Sequence, residues 1–579
     1  MKSIWSRLFI LFFLVPFSSC AVDELEIIDV KYVSINETTV ALKVGETSTI
    51  KATVHPIDAT DKTVTWTSSD ASVAEVKDGV ITALKLGTAI IKAKSGEKTA
   101  MCNVKVDPNP VANVTLDKTS AALNIGETIK LNAVVFPDDA TYKTVDWTSS
   151  DSQVATVNDG VVTACLVGTS TITATADGVS ATCQIEVTST IDFGQDKDVF
   201  TLQKGIEGLD VVLMGDGFTQ IDIQRGYYAQ VMNQAMDSFF KIEPYATLRD
   251  DFNVVYINAA SPENFDAVNT GLNGAINGKA VTKFSVQFTP NSTLLSGDND
   301  LAYDYAVIAL DNSFQRADKA TIVVVVNQKC HAGTSYIYYN LYDSNDYNPY
   351  YSVNYCALGI DLQGLGLDEV IQHEVGGHGF ASLGDEYVYS SFPFELNYSL
   401  LKSMQSNGVY RNIDKYIDAD LQGQGYDYPL TTKANVFWKD LFNTSNDYES
   451  TEELGVFEGA IYSFGYCRPT KYISVSVMGG GYMFNAPSRR AIYYKYLRAS
   501  GKVQSNIFGT EEELYAFLKW DSEIQKKLKY TRSFIRSNYN GANTTPFAPP
   551  VFKSGHLENG RFVTDPVPSS LSGGSFFGR

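Results

Sequence analysis

The sequence predicts a multidomain chain, two all-β sandwiches followed by one larger α/β domain. Three observations carry that prediction. At 579 residues the chain is longer than one hydrophobic core can organise. A block on its N-terminal side recurs 81 residues later in register: VGET at Val44 as IGET at Ile125, VTWTSSD at Val64 as VDWTSSD at Val145, DGVITA at Asp78 as DGVVTA at Asp159. Beyond about residue 192, short apolar runs alternate with stretches whose apolar residues follow a helical period.

The first nineteen residues read as an export signal. Lys2 and Arg7 precede the apolar run Leu8–Leu14, and Pro16 and Cys20 follow, the order of a secretory leader. The run is too short to span a bilayer as a permanent helix. Cys20 stands where a bacterial lipoprotein is cleaved and lipidated, so residues 1–19 are the expected signal peptide and 20–29 a linker after a lipid-bearing Cys20. The acidic AVDELE that follows resembles the surface-export signals of such lipoproteins. The expected location is therefore the outer membrane, anchored by lipid and facing the medium, with an uncleaved signal anchor as the alternative.

Within each repeat, runs such as Thr88–Ala93 are rich in β-branched residues and bounded by Gly, Asp or Pro, which argues short strands in a sandwich. Residues 30–107 and 111–188 resemble group 2 bacterial immunoglobulin-like domains and are expected to act as a stalk. Trp66 and Trp147 are expected between the sheets as core residues, with carbohydrate stacking as the rival role.

Residues 192–540 form the expected catalytic domain. Val211–Leu213, Phe252–Tyr256, Tyr305–Leu310 and Ile322–Val326 read as strands. About Ile221 to Phe240 reads as one helix, through Ile223, Tyr227, Val231 and Ala235. The resulting picture is a twisted sheet backed by helices. A further helix from Leu367 to Ala381 lies below the sheet's edge, where an extended peptide could add as a strand. After about Ser537 the chain turns to Asn, Gly, Pro and Ser, so 541–579 is expected to be a loosely ordered tail.

That further helix holds His373-Glu374-Val375-Gly376-Gly377-His378, two of only five histidines in the chain, and Asp385 and Glu386 follow closely. Two imidazoles flanking a glutamate are what a zinc hydrolase uses to bind metal and activate water. An α-helix turns about 100° per residue, so histidines five apart would diverge by about 140°. One wide π-type turn brings them back to a single face, and Gly376-Gly377 make room for it. His373 and His378 are then the first two ligands and Glu374 the base. Asp385 is the choice for the third ligand, placed after Gly384 where the helix should end and the chain turn back. Glu386 and His331 are its rivals.

HEVGGHGFASLGDEY, starting at His373, resembles the signature of the IgA peptidase family of zinc metalloendopeptidases, whose usual form is HExGH followed by LxDEY. LDVVLMGDGFTQ from Leu209, FFKIEPY from Phe239 and RDDFNVVYIN from Arg249 resemble the opening of that family's catalytic domain. CRPTKYISVSVMGGGYMFNAPSRRAI from Cys467 resembles its closing segment. The resemblance spans about Asp192 to Tyr539 and implies a metzincin-like α/β fold, a Zn2+ cofactor and an extracellular protein substrate such as immunoglobulin A or a mucin-type glycoprotein. It departs from the family form by one added residue between the histidines. Ser476-Val477-Met478 looks like a metzincin Met-turn, with Met478 supporting the site without binding metal. Tyr482 is the candidate to hydrogen-bond a developing oxyanion.

A net charge of −20 argues against nucleic acid as a partner. Cys102 and Cys183 fall at equivalent repeat positions and are expected to stay apart, while Cys165, Cys330, Cys356 and Cys467 show no readable pairing. Two function classes fit: a surface-anchored zinc endopeptidase, or a non-catalytic adhesin or glycan-binding lipoprotein whose peptidase domain is degenerate. The intact Glu374 and histidine pair favour the enzyme.

Overall fold

The computed structural model describes residues 27–206, 208–265, 280–289, 292–339, 350–360, 365–386, 398–406, 408–416, 430–460, 463–471, 476–479, 483–503, 507–528, 550–558 and 561–564. The signal region, Cys20 and Tyr482 lie outside them. The chain divides into two compact units, Met1–Thr188 and Ser189–Arg579. None of the described helices is long and apolar enough to cross a membrane.

In the first unit each repeat folds as a β-sandwich. In repeat one, Thr39–Lys43, Lys98–Asp107, Gly87–Ser95 and Thr65–Ser68 form a four-stranded sheet in that order. Thr47–Thr49, Val80–Ala83 and Ala74–Lys77 form a three-stranded one. The long strand Gly87–Ser95 alternates buried and exposed residues, as a strand with one face on a core must. Ile50, Ile81, Ile91, Cys102 and Val104 fill the first core, and their counterparts Leu131, Val162, Ile172, Cys183 and Ile185 fill the second. Both buried cysteines are free thiols, as are the other four described ones.

The repeated Asp-Gly has a backbone reason. Asp78 and Gly79 carry φ of 49° and 82°, and Asp159 and Gly160 carry 47° and 75°. Two consecutive positive φ values make the two-residue hairpin turn that matches strand twist. A Cβ on Gly79 would also lie 2.4 Å from Ile50 O. Trp66 and Trp147 are half-buried and pack against the cores from their rims.

The second unit is built on one eight-stranded sheet. Its strands are β1 (Val199–Gln203), β2 (Asp210–Asp216), β3 (Asn253–Ile257), β4 (Thr321–Val326), β5 (Gly333–Tyr339), β6 (Ser352–Ala357), β7 (Val551–Glu558) and β8 (Arg561–Thr564), in spatial order β1-β3-β2-β4-β6-β5-β7-β8. β3, β2, β4 and β6 are parallel neighbours, and β5 runs antiparallel to β6. β2 and β4 are buried along their whole length, because helices cover both faces. Val211, Leu213, Val323 and Val325 face a core shared with α2 (Tyr227–Phe239) and the metal-motif helix. Val212, Met214, Ile322 and Val324 face the opposite core, shared with α3 (Asn299–Ala309).

Four expectations change here. Tyr305–Leu310 is not a strand, since Tyr305–Ala309 belong to α3, which starts where the Asp298 side chain accepts from Leu301 N. A short apolar run buried on one helix face has no period that separates it from a strand. The single helix at 221–240 is two, α1 (Gln220–Gln224) and α2, broken at Gly226, whose φ is 81° and whose Cβ would lie 2.7 Å from the Phe193 ring. Within the tail expected to be loose at 541–579, the described residues Val551–Glu558 and Arg561–Thr564 are β7 and β8, held by backbone pairing of β7 to β5 and of β8 to β7. As a result β5 is no free edge: Gly333–Ile337 pair with β6 and Tyr336–Tyr339 with β7. Among the described residues the outermost strands are β1 and β8, so over Tyr336–Tyr339 the edge where a peptide was expected to add is taken by the chain's own β7.

Candidate metal centre

α4 (Leu367–Val370) runs without interruption into a π-helix, Ile371–Phe380, that carries both histidines. The wide turn that the spacing requires is therefore present, and it spans the whole motif. Two glycines permit its close surroundings. A Cβ on Gly377 would lie 2.1 Å from Met478 Sδ, so the thioether occupies the space a side chain would need. Beside it, Tyr245 OH donates to Gly376 O at 2.5 Å from the other side.

The imidazoles converge. Their ring centroids are 4.8 Å apart with planes at 90°. His373 Nδ1 lies 2.9 Å from Val477 O and His378 Nδ1 2.8 Å from Leu383 O. A carbonyl oxygen only accepts, so both Nδ1 atoms carry the proton, and a neutral ring presents its Nε2 lone pair. Both Nε2 atoms face Asp385 Oδ1, at 3.2 and 3.3 Å. Three electron-pair donors aimed at one buried point require positive charge between them, either a cation or protons on both rings. One ligand atom from each of His373, His378 and Asp385 lies within 4.8 Å of the others, and three protein ligands of this type are what a hydrolytic zinc site takes while leaving a position open.

Asp385 reaches the histidines because the chain folds back at Ser382, whose φ is 51°. The turn-back falls here, two residues before the expected Gly384. Ser382 N donates to His378 O and Leu383 N to Gly377 O, both at 2.9 Å, closing the end of the helix. Asn412 then clamps Gly384, accepting from its N at 2.8 Å and donating to its O at 2.7 Å. Burial acts to raise the Asp385 carboxyl, but His378 and His373 facing it as protonated rings, the alternative to a cation, outweigh burial and hold it at about 2.

Glu386, a rival for the third ligand, points elsewhere. Its carboxylate accepts from Asn485 Nδ2 at 2.8 and 2.9 Å and from Asn412 Nδ2 at 3.0 Å, and its backbone N donates to Met478 O at 3.0 Å. It ties the Asp385 turn to the Val477–Gly479 turn and to Asn485, the N-cap of α5 (Ala486–Ala499). His331 is buried but does not belong to the converging group. Met478 is fully buried against Gly377 in the turn whose Val477 O orients His373.

Glu374 is 0 % exposed, and burial pushes its carboxyl up to about 8, against the lowering effects of His373 and of Ser335. Ser335, Asn412 and Asn485 escaped the sequence reading. Each is a common polar residue 26 to 99 positions from what it holds, and no local pattern marks it. Within the closing segment, residues 476–479 and 483–492 meet the centre at His373, Gly377 and Glu386.

Comparison with known proteins agrees with this layout. Residues 29–104 and 110–187 match the bacterial Ig-like domain (group 2) family, and residues 201–409 match the IgA Peptidase M64 family. Among curated proteins, an uncharacterized protein of Clostridium acetobutylicum is 39% identical over 157 residues, 26% of this chain and 16% of its own length. An Ig-like virion protein of Serratia phage KSP90 is 37% identical over 171 residues, 27% of this chain and 66% of its own length. The chain thus spans less than two thirds of the length of either relative. Among solved structures, domains 4 and 5 of the S-layer protein SbsC align with 28% of this chain and 99% of their own, at 22% identity and a TM-score of 0.16, a likeness too low to assign anything. The M64 match includes the histidine pair and Asp385 and supports a peptidase role. Residues 29–187 therefore comprise two group 2 bacterial Ig-like domains, and residues 201–409 an IgA peptidase M64 domain.

Proposed function

We propose that the protein is a zinc-dependent endopeptidase, held at the outer membrane through lipid on Cys20, that cleaves extracellular proteins. One observation carries the reading: His373, His378 and Asp385 aim three donor atoms at one buried point, with the Glu374 carboxylate next to them in the chain. The donor set, two neutral imidazoles and one carboxylate, fits Zn2+. Zinc bound there would polarise the scissile carbonyl and make water a better nucleophile at neutral pH.

The chain's own residues supply the rest. Val477 O and Leu383 O fix both imidazole tautomers, so neither ring has to reorient to present Nε2. Glu374 takes a proton from the attacking water and passes it to the leaving amide nitrogen. Its high pKa suits both halves of that task, and positive charge held by the neighbouring ligands would bring it down toward the working pH. The intact set counts against the degenerate-adhesin reading. Immunoglobulin A and mucin-type glycoproteins are the substrates we propose to try first, and the Ig-like pair is proposed as the stalk that carries the enzyme.

The test is metal analysis of the purified protein together with casein cleavage before and after chelation. About one zinc per chain and chelator-sensitive cleavage are expected, with Glu374→Gln keeping zinc and losing cleavage. Cleavage by Glu374→Gln at the wild-type rate would reject the mechanism.

A further inference from the structure

We infer that Ser335 of β5 is the positioning residue that sets the direction of the Glu374 carboxylate. The inference rests on the peptidase reading above and adds to it a residue that neither the motif nor the family match singles out. Ser335 is 0 % exposed. Its Oγ lies 2.8 Å from Glu374 O and 2.9 Å from Glu374 Oε2. One hydroxyl thus sits between the backbone oxygen and the head group of the same residue, its single proton shared between the two acceptors, which ties the carboxylate to its own backbone. The second carboxylate oxygen, Oε1, has no hydrogen-bond partner among the described residues. Oε2 is occupied by the strand, and Oε1 is left for a reacting water.

The strand is built for this approach. Residues two apart on a strand share a face, so Gly333 and Ser335 both face the π-helix. Thr334, on the other face, accepts instead from Leu295 N through its Oγ1 at 2.8 Å. A Cβ on Gly333 would lie 2.6 Å from Glu374 Cγ. Glycine at 333 lets the backbone close onto the glutamate stem, and serine at 335 then meets its head. Without the hydroxyl, Oε2 would be a buried acceptor with no donor, and the carboxylate would turn to seek one. A base that must sit within hydrogen-bond reach of its water loses rate when its orientation spreads.

The experiment compares the full chain, Ser335→Ala, Ser335→Thr and Glu374→Gln for zinc content, melting temperature, and kcat and KM on fluorescently labelled casein. Crystal structures of the metal-free wild type and Ser335→Ala are solved alongside. Ser335→Ala should keep its zinc and hold KM within about twofold while kcat falls about tenfold or more, the size expected for one lost hydrogen bond to a charged group. In its metal-free crystals the Glu374 carboxylate should leave its wild-type direction. Ser335→Thr, which keeps the hydroxyl, should recover most of the rate. A wild-type kcat in Ser335→Ala, or a loss that follows zinc content, KM or melting temperature, would overturn the inference. Should the wild type show no chelator-sensitive cleavage, the peptidase reading fails on that result. The metal-free crystals then decide for Ser335 alone, with an unmoved carboxylate counting against it.

Discussion

The two units of this chain bury different things. Among the described residues of the Ig-like unit, the only buried polar side chains are Ser95, Asn109 and Ser170. The peptidase unit buries histidines, carboxylates and arginines. Arg489, 0 % exposed, holds Asp521 at 2.7 and 2.8 Å and Glu452 at 2.6 Å, and Arg490 holds Glu513. Removing charge from water is expensive, and an apolar replacement is often as stable. The proposed stalk would have no use for that expense, whereas the proposed site, which would hold a cation and move a proton, would need it. The ion pairs also have a place in the site. Ala486 N donates to Glu452, and α5 starts at Asn485, which binds Glu386 beside Asp385.

The contrast can be broken in four ways. The largest expected effect is Glu374→Gln, which should lower kcat by about a thousandfold, as loss of a general base does, while both units melt as before by calorimetry. Next, Asp521→Ala strands the buried Arg489 guanidinium and should destabilise the peptidase unit by about 3–5 kcal/mol. Denaturant unfolding should show the Ig-like transition unmoved. Third, Ile91→Ala and Ile172→Ala remove equivalent core residues, both 0 % exposed. Each should cost about 2–5 kcal/mol, nearly equal in the two repeats, and leave casein cleavage unchanged. Unequal costs would mean that the repeats are not the same core twice.

The smallest effect concerns pH in metal-free protein. Burial raises Glu374 to about 8 and Glu369 to about 7, and raises Asp216 and Glu452 as well. A carboxyl with a raised folded pKa binds protons more tightly folded than unfolded. Its contribution is therefore full below the ordinary carboxylate range and is lost as pH rises toward the folded value. The peptidase unit should lose at least one pKa unit's worth of stability, about 1.4 kcal/mol, between about pH 5 and pH 8. The Ig-like transition should stay nearly flat over that range. Zinc should abolish much of the difference, which thermal melts with and without metal would measure.

What could be read along the chain was whatever repeats or recurs at short range. The 81-residue offset reveals the twin sandwiches, since a copied core needs the same residues at the same spacing. His373, Glu374, His378 and Asp385 lie within thirteen positions, and the geometry of one helix and one turn decides where they point. Folding was needed for the rest. Nothing local separates Tyr305–Ala309 as helix from strand, and nothing in Val551–Glu558 announces that it pairs with a strand more than two hundred residues earlier. Ser335 meets Glu374 from a neighbouring strand, and Asn412 and Asn485 reach the Asp385 turn from loops far along the chain. Hydrogen-bond partners of that kind are chosen by proximity in space, which one-dimensional spacing does not encode.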